Sequence, residues 1–225
     1  MPPRTARASN PGFGAARRER ERREREESIL AAAERVISRH GFHDAGMIDI
    51  AREAEFAIGT LYGFFESKEA LFERLIVDRS EELARAMRPA LDGPGSARER
   101  LERALAAKVE HMRAHLDFVL IYASTSMMAT CGWGTPGAAI RLREENLRGV
   151  AEVIRGAKQK GEIPPDVDPA DVALGFWTLS TNFLLAAARD PHGLDLARVE
   201  RAMRSVFFDP LFGRGRVPAA ARSRR

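Results

Sequence analysis

The chain has 225 residues, of which 44% are hydrophobic and 30% charged, a composition typical of a soluble globular protein of one large or two small domains. Its single cysteine, Cys131, excludes an intrachain disulfide and any zinc finger. No apolar run reaches the roughly 18 residues of a membrane span, and the N-terminus lacks the apolar segment of a secretory signal. We therefore expect a cytoplasmic protein without membrane contact.

Charge is distributed unevenly. The net charge is +4, yet residues 1–27 carry eight Arg against five Glu and residues 213–225 carry five Arg and no acid. The body between them, residues 28–212, is therefore acidic, at −4. Basic tails of this kind either contact an anionic surface such as nucleic acid or are simply disordered and solvated. Composition leaves both alternatives open.

The first periodic segment follows a polar N-terminus. Residues 1–16 have no periodicity and are predicted to be disordered, whereas the interleaved Arg and Glu of residues 17–27 suit a solvated helical extension. Gly41 is expected to end the helix that follows. The apolar residues that predict this helix are Ile29, Ala33, Val36 and Ile37.

Two short helices come next, from about Met47 to Ala54 and from about Ile58 to Phe64. A three-residue turn joins them, which is the signature of a helix-turn-helix. Ser67 is placed to cap a longer helix that runs toward Pro89. These segments predict a small N-terminal three-helix unit.

The remainder of the chain predicts a larger helical domain. Breaks are expected at residues 92–96, 131–137, 161–168 and 190–193, and no alternating strand pattern is present. The predicted fold class is therefore all-α. The apolar stripes between the breaks are Leu101–Leu105–Val109–Met112–Leu116, Leu147–Val150–Ile154–Ala157, Val172–Phe176–Leu179–Phe183–Ala187 and Leu196–Val199–Met203–Val206–Phe207.

Residues 29–76 include "GF", "IA", "GTLY" and "SKEAL" in an order that resembles the TetR-type one-component transcriptional regulators. The resemblance implies a homodimer, formed through the last two long helices, on a palindromic operator in double-stranded DNA. It also implies repression that is relieved by a small, largely apolar effector. The domains expected are a flexible basic arm (1–22), the helix-turn-helix domain (23–76), an effector-binding and dimerisation domain (77–212) and a basic disordered tail (213–225).

The resemblance implies that particular residues contact DNA. Hydroxyl and ammonium groups at positions matching Thr60, Tyr62 and Lys68 contact phosphates, and Gly59 lets the backbone approach DNA. Leu61 and Phe65 are expected in the core. Positions left for reading bases are apolar or small, and an arginine arm can reach the minor groove. The predicted DNA-binding residues are Ile48, Ile58, Gly59, Thr60, Tyr62, Gly63, Lys68, Arg17 and Arg18.

Several residues depart from the family pattern. Gly46 and Ala57 stand where Ser or Thr usually cap the two short helices, and Glu55 stands at a turn position that is usually Gly. Residues 28–75 carry five basic and eight acidic side chains, a net of −3 on the unit expected to meet DNA. This charge leaves room for the alternative of a helical protein-interaction adaptor with weak or no operator binding.

The effector pocket is predicted from methionine and aromatic residues, which suit adaptable apolar cavities. Asn182, in an apolar helix, needs a hydrogen-bond partner, either an effector or a dimer mate. The pair His111 and His115 has metal-ligand spacing, but we expect no metal, because no further His or Cys is nearby in the sequence. We also expect no cofactor and no enzyme activity, because no catalytic motif is present. The candidates are Met112, His115, Phe118, Tyr122, Met127, Met128, Trp133 and Trp177.

Overall fold

The computed structural model describes residues 11–116, 118, 137–188 and 195–213, and every regular element in these ranges is a helix. The all-α prediction is therefore confirmed for the described part of the chain. The chain divides into two compact units, Met1–Phe72 and Glu73–Arg225.

The N-terminal unit contains α1 (Pro11–Asp44), α2 (Met47–Glu53), α3 (Ile58–Phe64) and the start of α4 (Lys68–Asp92). Gly41 interrupts α1 with φ of 77°, so the helix stops regular winding where the sequence predicted its end. Ser67 caps α4 as predicted, since its hydroxyl accepts from the Ala70 backbone N–H at 3.1 Å. The buried apolar residues include Ile29, Leu30, Ala33, Val36, Ile37, Phe42, Ile50, Leu61, Phe65 and Phe72.

Helix α1 is longer than its apolar pattern predicts. It is helical from Pro11, so residues 11–22, which the sequence suggested as part of a flexible arm, continue the helix that carries the core residues. The interleaved arginines and glutamates explain this, because opposite charges three and four residues apart support a solvated helix. One such pair joins Arg17 and Glu21 at 2.9 Å.

The C-terminal unit continues α4 and adds α5 (Ala97–Ala114), α6 (Gly137–Gln159), α7 (Pro169–Ala188), α8 (Leu196–Met203) and α9 (Asp209–Phe212). A π-helical turn, Arg204–Phe208, joins α8 to α9. Helix α7 packs against α6 and α8, and α5 packs against α6 and α7. The core of this unit includes Leu101, Leu105, Val109, Val150, Ile154, Ala157, Phe176, Ala187, Val199, Met203, Phe207 and Phe208.

Three details differ from the sequence predictions. Pro89 lies inside α4, which ends only at Asp92. Val206 is 52% exposed although it was assigned to an apolar stripe, because the π-helical turn changes the register. Phe207 of the same stripe is buried as predicted, and Phe208 is buried in place of Val206. Asn182 is exposed and donates to the Thr178 carbonyl oxygen at 2.9 Å, so its amide has a partner within its own helix.

By length and composition α7 is apolar enough to cross a membrane, contrary to the expectation that no segment is. Core helices of soluble proteins often have the same composition. Helix α7 packs against α5, α6 and α8 and carries the buried residues Phe176, Ser180 and Leu184, while 28% of its most apolar 18-residue window is buried in the single chain.

The turn between α2 and α3 is strained at one residue. Glu55 has φ of 59°, the left-handed region that residues with a β-carbon avoid and glycine tolerates. It is also the position where the family pattern has glycine. The turn therefore keeps the backbone geometry of a glycine turn with a glutamate in it.

Replacement of Glu55 by glycine should stabilise the protein by about 1 kcal/mol, because the left-handed strain disappears and only part of the gain is lost to the extra freedom of the unfolded chain. Urea unfolding of purified Glu55→Gly measures this change. Glu55→Ala is the matched control, since it removes the same carboxylate and keeps the β-carbon. Equal stability of the two variants would show that strain is absent.

Candidate nucleic-acid interface and effector site

The outer face of α2 and α3 exposes large side chains that a small core would normally bury. Ile48 is 64% exposed, Ile58 38% and Tyr62 54%. Leu61 is fully buried and Phe65 nearly so, as predicted, and together they hold α3 against the unit. An apolar and aromatic surface on a helix that is anchored from behind is suited to contact a partner.

The two glycines of α3 lie on the same exposed surface. A β-carbon added at Gly59 or at Gly63 would meet nothing within 4 Å. Packing inside the protein therefore gives no reason for glycine at either position. Their effect is to keep the backbone of α3 accessible to a molecule outside the chain, next to the half-buried Thr60.

Neither short helix has a side-chain cap. Gly46 precedes α2 and Ala57 precedes α3, and no side chain accepts a hydrogen bond from the first turn of either helix. The stability of α3 thus depends on burial of Leu61 rather than on capping.

Lys68 lies at the start of α4 and is bound to its own unit. Its ammonium donates to the carbonyl oxygens of Phe42 at 2.8 Å and His43 at 2.9 Å, and it lies 4.6 Å from the centre of the Phe42 ring. These are carbonyls at the end of α1, so Lys68 joins the C-terminal end of α1 to α4. Of its three N–H groups, one is left for a phosphate.

Most other cations of the helix-turn-helix are paired with its acids. Glu53 accepts from Arg35 Nε at 2.7 Å and from Arg39, and these hydrogen bonds lower the pKa of the Glu53 carboxyl, Arg35 having the larger effect. Arg52 pairs with Asp49 at 3.2 Å. The Glu53 pairs connect α1 to α2 and leave little basic surface on α2 and α3.

The exposed arginines of α1 form a separate basic face. Arg22 follows Arg18 by four residues and Arg25 follows Arg22 by three, so the three lie on one side of the helix. The Arg22 guanidinium lies 5.6 Å from the centre of the Phe64 ring, at the C-terminal end of α3. We call Arg18, Arg22 and Arg25 the arginine face. Arg17 instead pairs with Glu21.

The predicted effector residues are only partly described. Met112 and Trp177 are partly buried and pack against the core of the C-terminal unit. His115 Nε2 lies 3.0 Å from Glu82 Oε2, and Phe118 is partly buried. The other candidates, Tyr122, Met127, Met128 and Trp133, lie outside the described residues.

Lys108 is a buried cation that the sequence analysis missed. It is 1% exposed, and its ammonium donates to Ser180 Oγ at 2.8 Å and Thr181 Oγ1 at 2.7 Å. It also donates to the Trp177 carbonyl oxygen at 3.2 Å and lies 4.1 Å from the Trp177 ring centre. Burial lowers the pKa of Lys108 to about 7. The sequence feature that could have indicated a buried lysine is its position between Leu105 and Met112, on the apolar face of the helix.

An open groove of about 360 Å³ lies between α4 and α6 in the C-terminal unit. None of the predicted effector residues lines it. Its walls combine charged and apolar side chains. They are formed by Glu81, Ala84, Arg85, Arg88, Pro89, Leu142 and Glu145.

Comparison with known proteins assigns the family. Residues 29–75 match the family described as bacterial regulatory proteins, tetR family. The HTH-type transcriptional regulator UidR of Escherichia coli K12 is 32% identical over 145 residues, which cover 63% of this chain and 70% of UidR. The chain belongs to the TetR family.

Solved TetR-like structures agree with this fold. The fatty acid degradation regulator FadR of Bacillus halodurans has a TM-score of 0.68 at 18% identity, covering 82% of this chain and 98% of its own. FadR of Bacillus subtilis has the same score and identity over 84% of this chain and 98% of its own. The chain is thus a TetR-family transcriptional regulator with a DNA-binding helix-turn-helix, and its relatives are regulators rather than enzymes.

The stability of the protein should rise with pH, because the free-energy cost of burying the charged Lys108 ammonium is relieved. The folded-state pKa of about 7 lies below the ordinary value of 10.5, so between these pH values only the unfolded chain holds the proton. Lys108→Met removes this effect and should be more stable than the wild type at pH 6. The difference in unfolding free energy between Lys108→Met and the wild type should shrink by up to about 1.4 kcal/mol per pH unit above pH 7.

Urea unfolding of both proteins between pH 6 and 9.5 measures this difference in unfolding free energy. Lys160→Met is the control, because it removes an exposed lysine and leaves the buried Lys108 site intact. Parallel stability profiles for the wild type and Lys108→Met would contradict a buried, deprotonating Lys108.

Proposed function

We propose that the protein is a homodimeric repressor that binds a palindromic operator through α3 and is released by a small, largely apolar effector in the C-terminal unit. The observation that carries the proposal is the exposed surface of Ile48, Ile58 and Tyr62 on a helix-turn-helix whose Leu61 is fully buried. That arrangement presents α3 outward on a rigid support, as insertion into a major groove requires.

Base recognition in this proposal is mainly apolar. Ile48 and Ile58 suit contacts with thymine methyl groups, while the Tyr62 and Thr60 hydroxyls donate to phosphates. Gly59 and Gly63 let the backbone come close to the DNA. Side chains able to make bidentate contacts with bases are scarce on α3, so DNA shape contributes to the choice of site.

Affinity in this proposal comes from α1. The cations near α2 are paired with acids, and Lys68 is bound to carbonyl oxygens, whereas the arginine face is exposed. Arg22 is close to the end of α3 through its contact with Phe64. Arg18 and Arg22 therefore lie on the side from which a groove-bound α3 would meet the adjacent phosphates or minor groove.

The surface of α7 and the segment after α8 supports a dimer. Helix α7 is strongly apolar, yet only 28% of its most apolar 18-residue window is buried in the single chain. Leu174 on α7 is 54% exposed, and Val206 after α8 is 52% exposed. A second copy would cover such side chains, which lie in the segments that carry the last two apolar stripes of the sequence, and the family resemblance implies a dimer through the last two long helices.

The effector proposal rests on the character of the C-terminal unit. FadR of Bacillus subtilis, whose fold this chain shares, was solved in complex with stearoyl-CoA. The candidates here are Met112, His115, Phe118, Tyr122, Met127, Met128, Trp133 and Trp177. An effector releases the operator only if it binds more tightly to the dimer conformation in which the spacing of the two recognition helices does not fit DNA.

The alternative is a protein-interaction adaptor on the same scaffold, which the acidic helix-turn-helix unit favours. It predicts binding to DNA that is weak and independent of sequence. A binding-site selection with the purified chain separates the two, since a repressor enriches a palindrome and an adaptor enriches none.

Loss of either Arg18 or Arg22 should weaken operator binding and its salt dependence. Each phosphate contact contributes about 0.9 to the slope of log affinity against log salt. Because the proposed dimer carries two copies of each residue, Arg18→Ala and Arg22→Ala should each lower the slope by about 2. Fluorescence anisotropy with the selected operator at several salt concentrations measures it.

Arg20→Ala is the matched control, because Arg20 is an exposed arginine on the opposite side of α1 and its loss changes net charge equally. Its slope should remain that of the wild type. Equal losses in all three variants would mean that overall charge, not the arginine face, sets affinity.

A further inference from the structure

Three potential metal ligands meet between α4 and α5 in the C-terminal unit. Glu82 comes from α4, and His111 and His115 come from α5. One donor atom of each residue lies within 4.8 Å of the donor atoms of the other two, and all three side chains are partly buried. The histidine pair is visible in the sequence, whereas Glu82 lies far from it along the chain and comes close only in the fold.

The spacing of the three groups is close to that of a tetrahedral site. Ligand bonds of 2.0–2.2 Å in zinc sites place neighbouring donor atoms about 3.3 Å apart. His115 Nε2 and Glu82 Oε2 are 3.0 Å apart, and the rings of His111 and His115 have centroids 4.7 Å apart. Small rotations of the side chains suffice to direct all three donors at one ion.

A second residue holds the carboxylate in place. Arg79 Nη1 donates to Glu82 Oε1 at 2.9 Å, which leaves Oε2 directed at His115. The Arg79 charge is offset by Asp78, whose Oδ2 lies 3.0 Å from the same nitrogen. Orienting contacts to the distal oxygen of a ligating carboxylate are a regular feature of metal sites.

An ion pair between His115 and Glu82 alone does not explain the position of His111. The contact between His115 and Glu82 would by itself join α4 to α5, and it does not require a second imidazole. His111 lies one helical turn before His115 on the same face, and its donor atom reaches the same point. Two imidazoles and a carboxylate together make a donor set for borderline divalent ions.

We propose that Glu82, His111 and His115 bind a divalent transition-metal ion, with Zn²⁺ the best fit, and leave at least one coordination position open to water or another ligand. The described residues supply three protein ligands, which is the number found in zinc sites that keep an open position. The proposal is independent of operator binding, since it concerns only residues of the C-terminal unit.

Isothermal titration of Zn²⁺ into the full-length, chelator-treated chain tests the site. One ion should bind per chain and raise the melting temperature, and affinity should fall between pH 7.5 and 6 because protons compete for the imidazoles. Glu82→Gln, which preserves the size of the side chain, and His111→Gln should each weaken binding at least tenfold. Circular dichroism confirms that both variants fold.

Two control variants locate the ion. His40→Gln removes an exposed histidine of α1, and Cys131→Ser removes the only thiol; both should bind Zn²⁺ like the wild type. The absorption spectrum of bound Co²⁺ should report nitrogen and oxygen ligands without a thiolate band. Absence of 1:1 binding in the wild type, unchanged binding in Glu82→Gln and His111→Gln, or loss in Cys131→Ser would each overturn the proposal.

Discussion

The burial of Leu61 is the constraint on which the proposed DNA-contacting surface of α2 and α3 depends. Helix α3 has seven residues and no side-chain cap, and isolated helices of this length do not form in water. Leu61 is fully buried, and Phe65 packs beside it at the end of the helix. Because these residues anchor one side of α3, Ile58 and Tyr62 remain exposed on the other.

Electrostatic pairing within the helix-turn-helix unit limits its attraction for DNA. Glu53 is held by two arginines of α1, and Lys68 is held by carbonyl oxygens at the end of α1. A paired arginine must break or share its contacts before it reaches a phosphate, and Lys68 keeps one N–H group for that purpose. This division of roles is the reason to look for affinity in the arginine face of α1 rather than in α2 and α3.

Local patterns in the sequence predicted the helix-turn-helix well. The bounds of α2 and α3 agree with the prediction to within one residue, since short apolar repeats, a turn and Gly41 all act locally. Features that depend on tertiary contacts were not readable in the same way. The π-helical turn that exposes Val206 follows from packing of two adjacent phenylalanines, and Glu82 reaches the histidines only through the pairing of α4 with α5.

The most direct test of this account maps where α1 lies on the operator. A DNA-cleaving reagent is attached to a single cysteine, Arg18→Cys or Arg20→Cys, in a Cys131→Ser background, and the cut positions are read on the selected operator. The account predicts two clusters of cuts from position 18, symmetric about the operator centre, and far weaker cutting from position 20. Equal cutting from both positions, or a single asymmetric cluster, would contradict it.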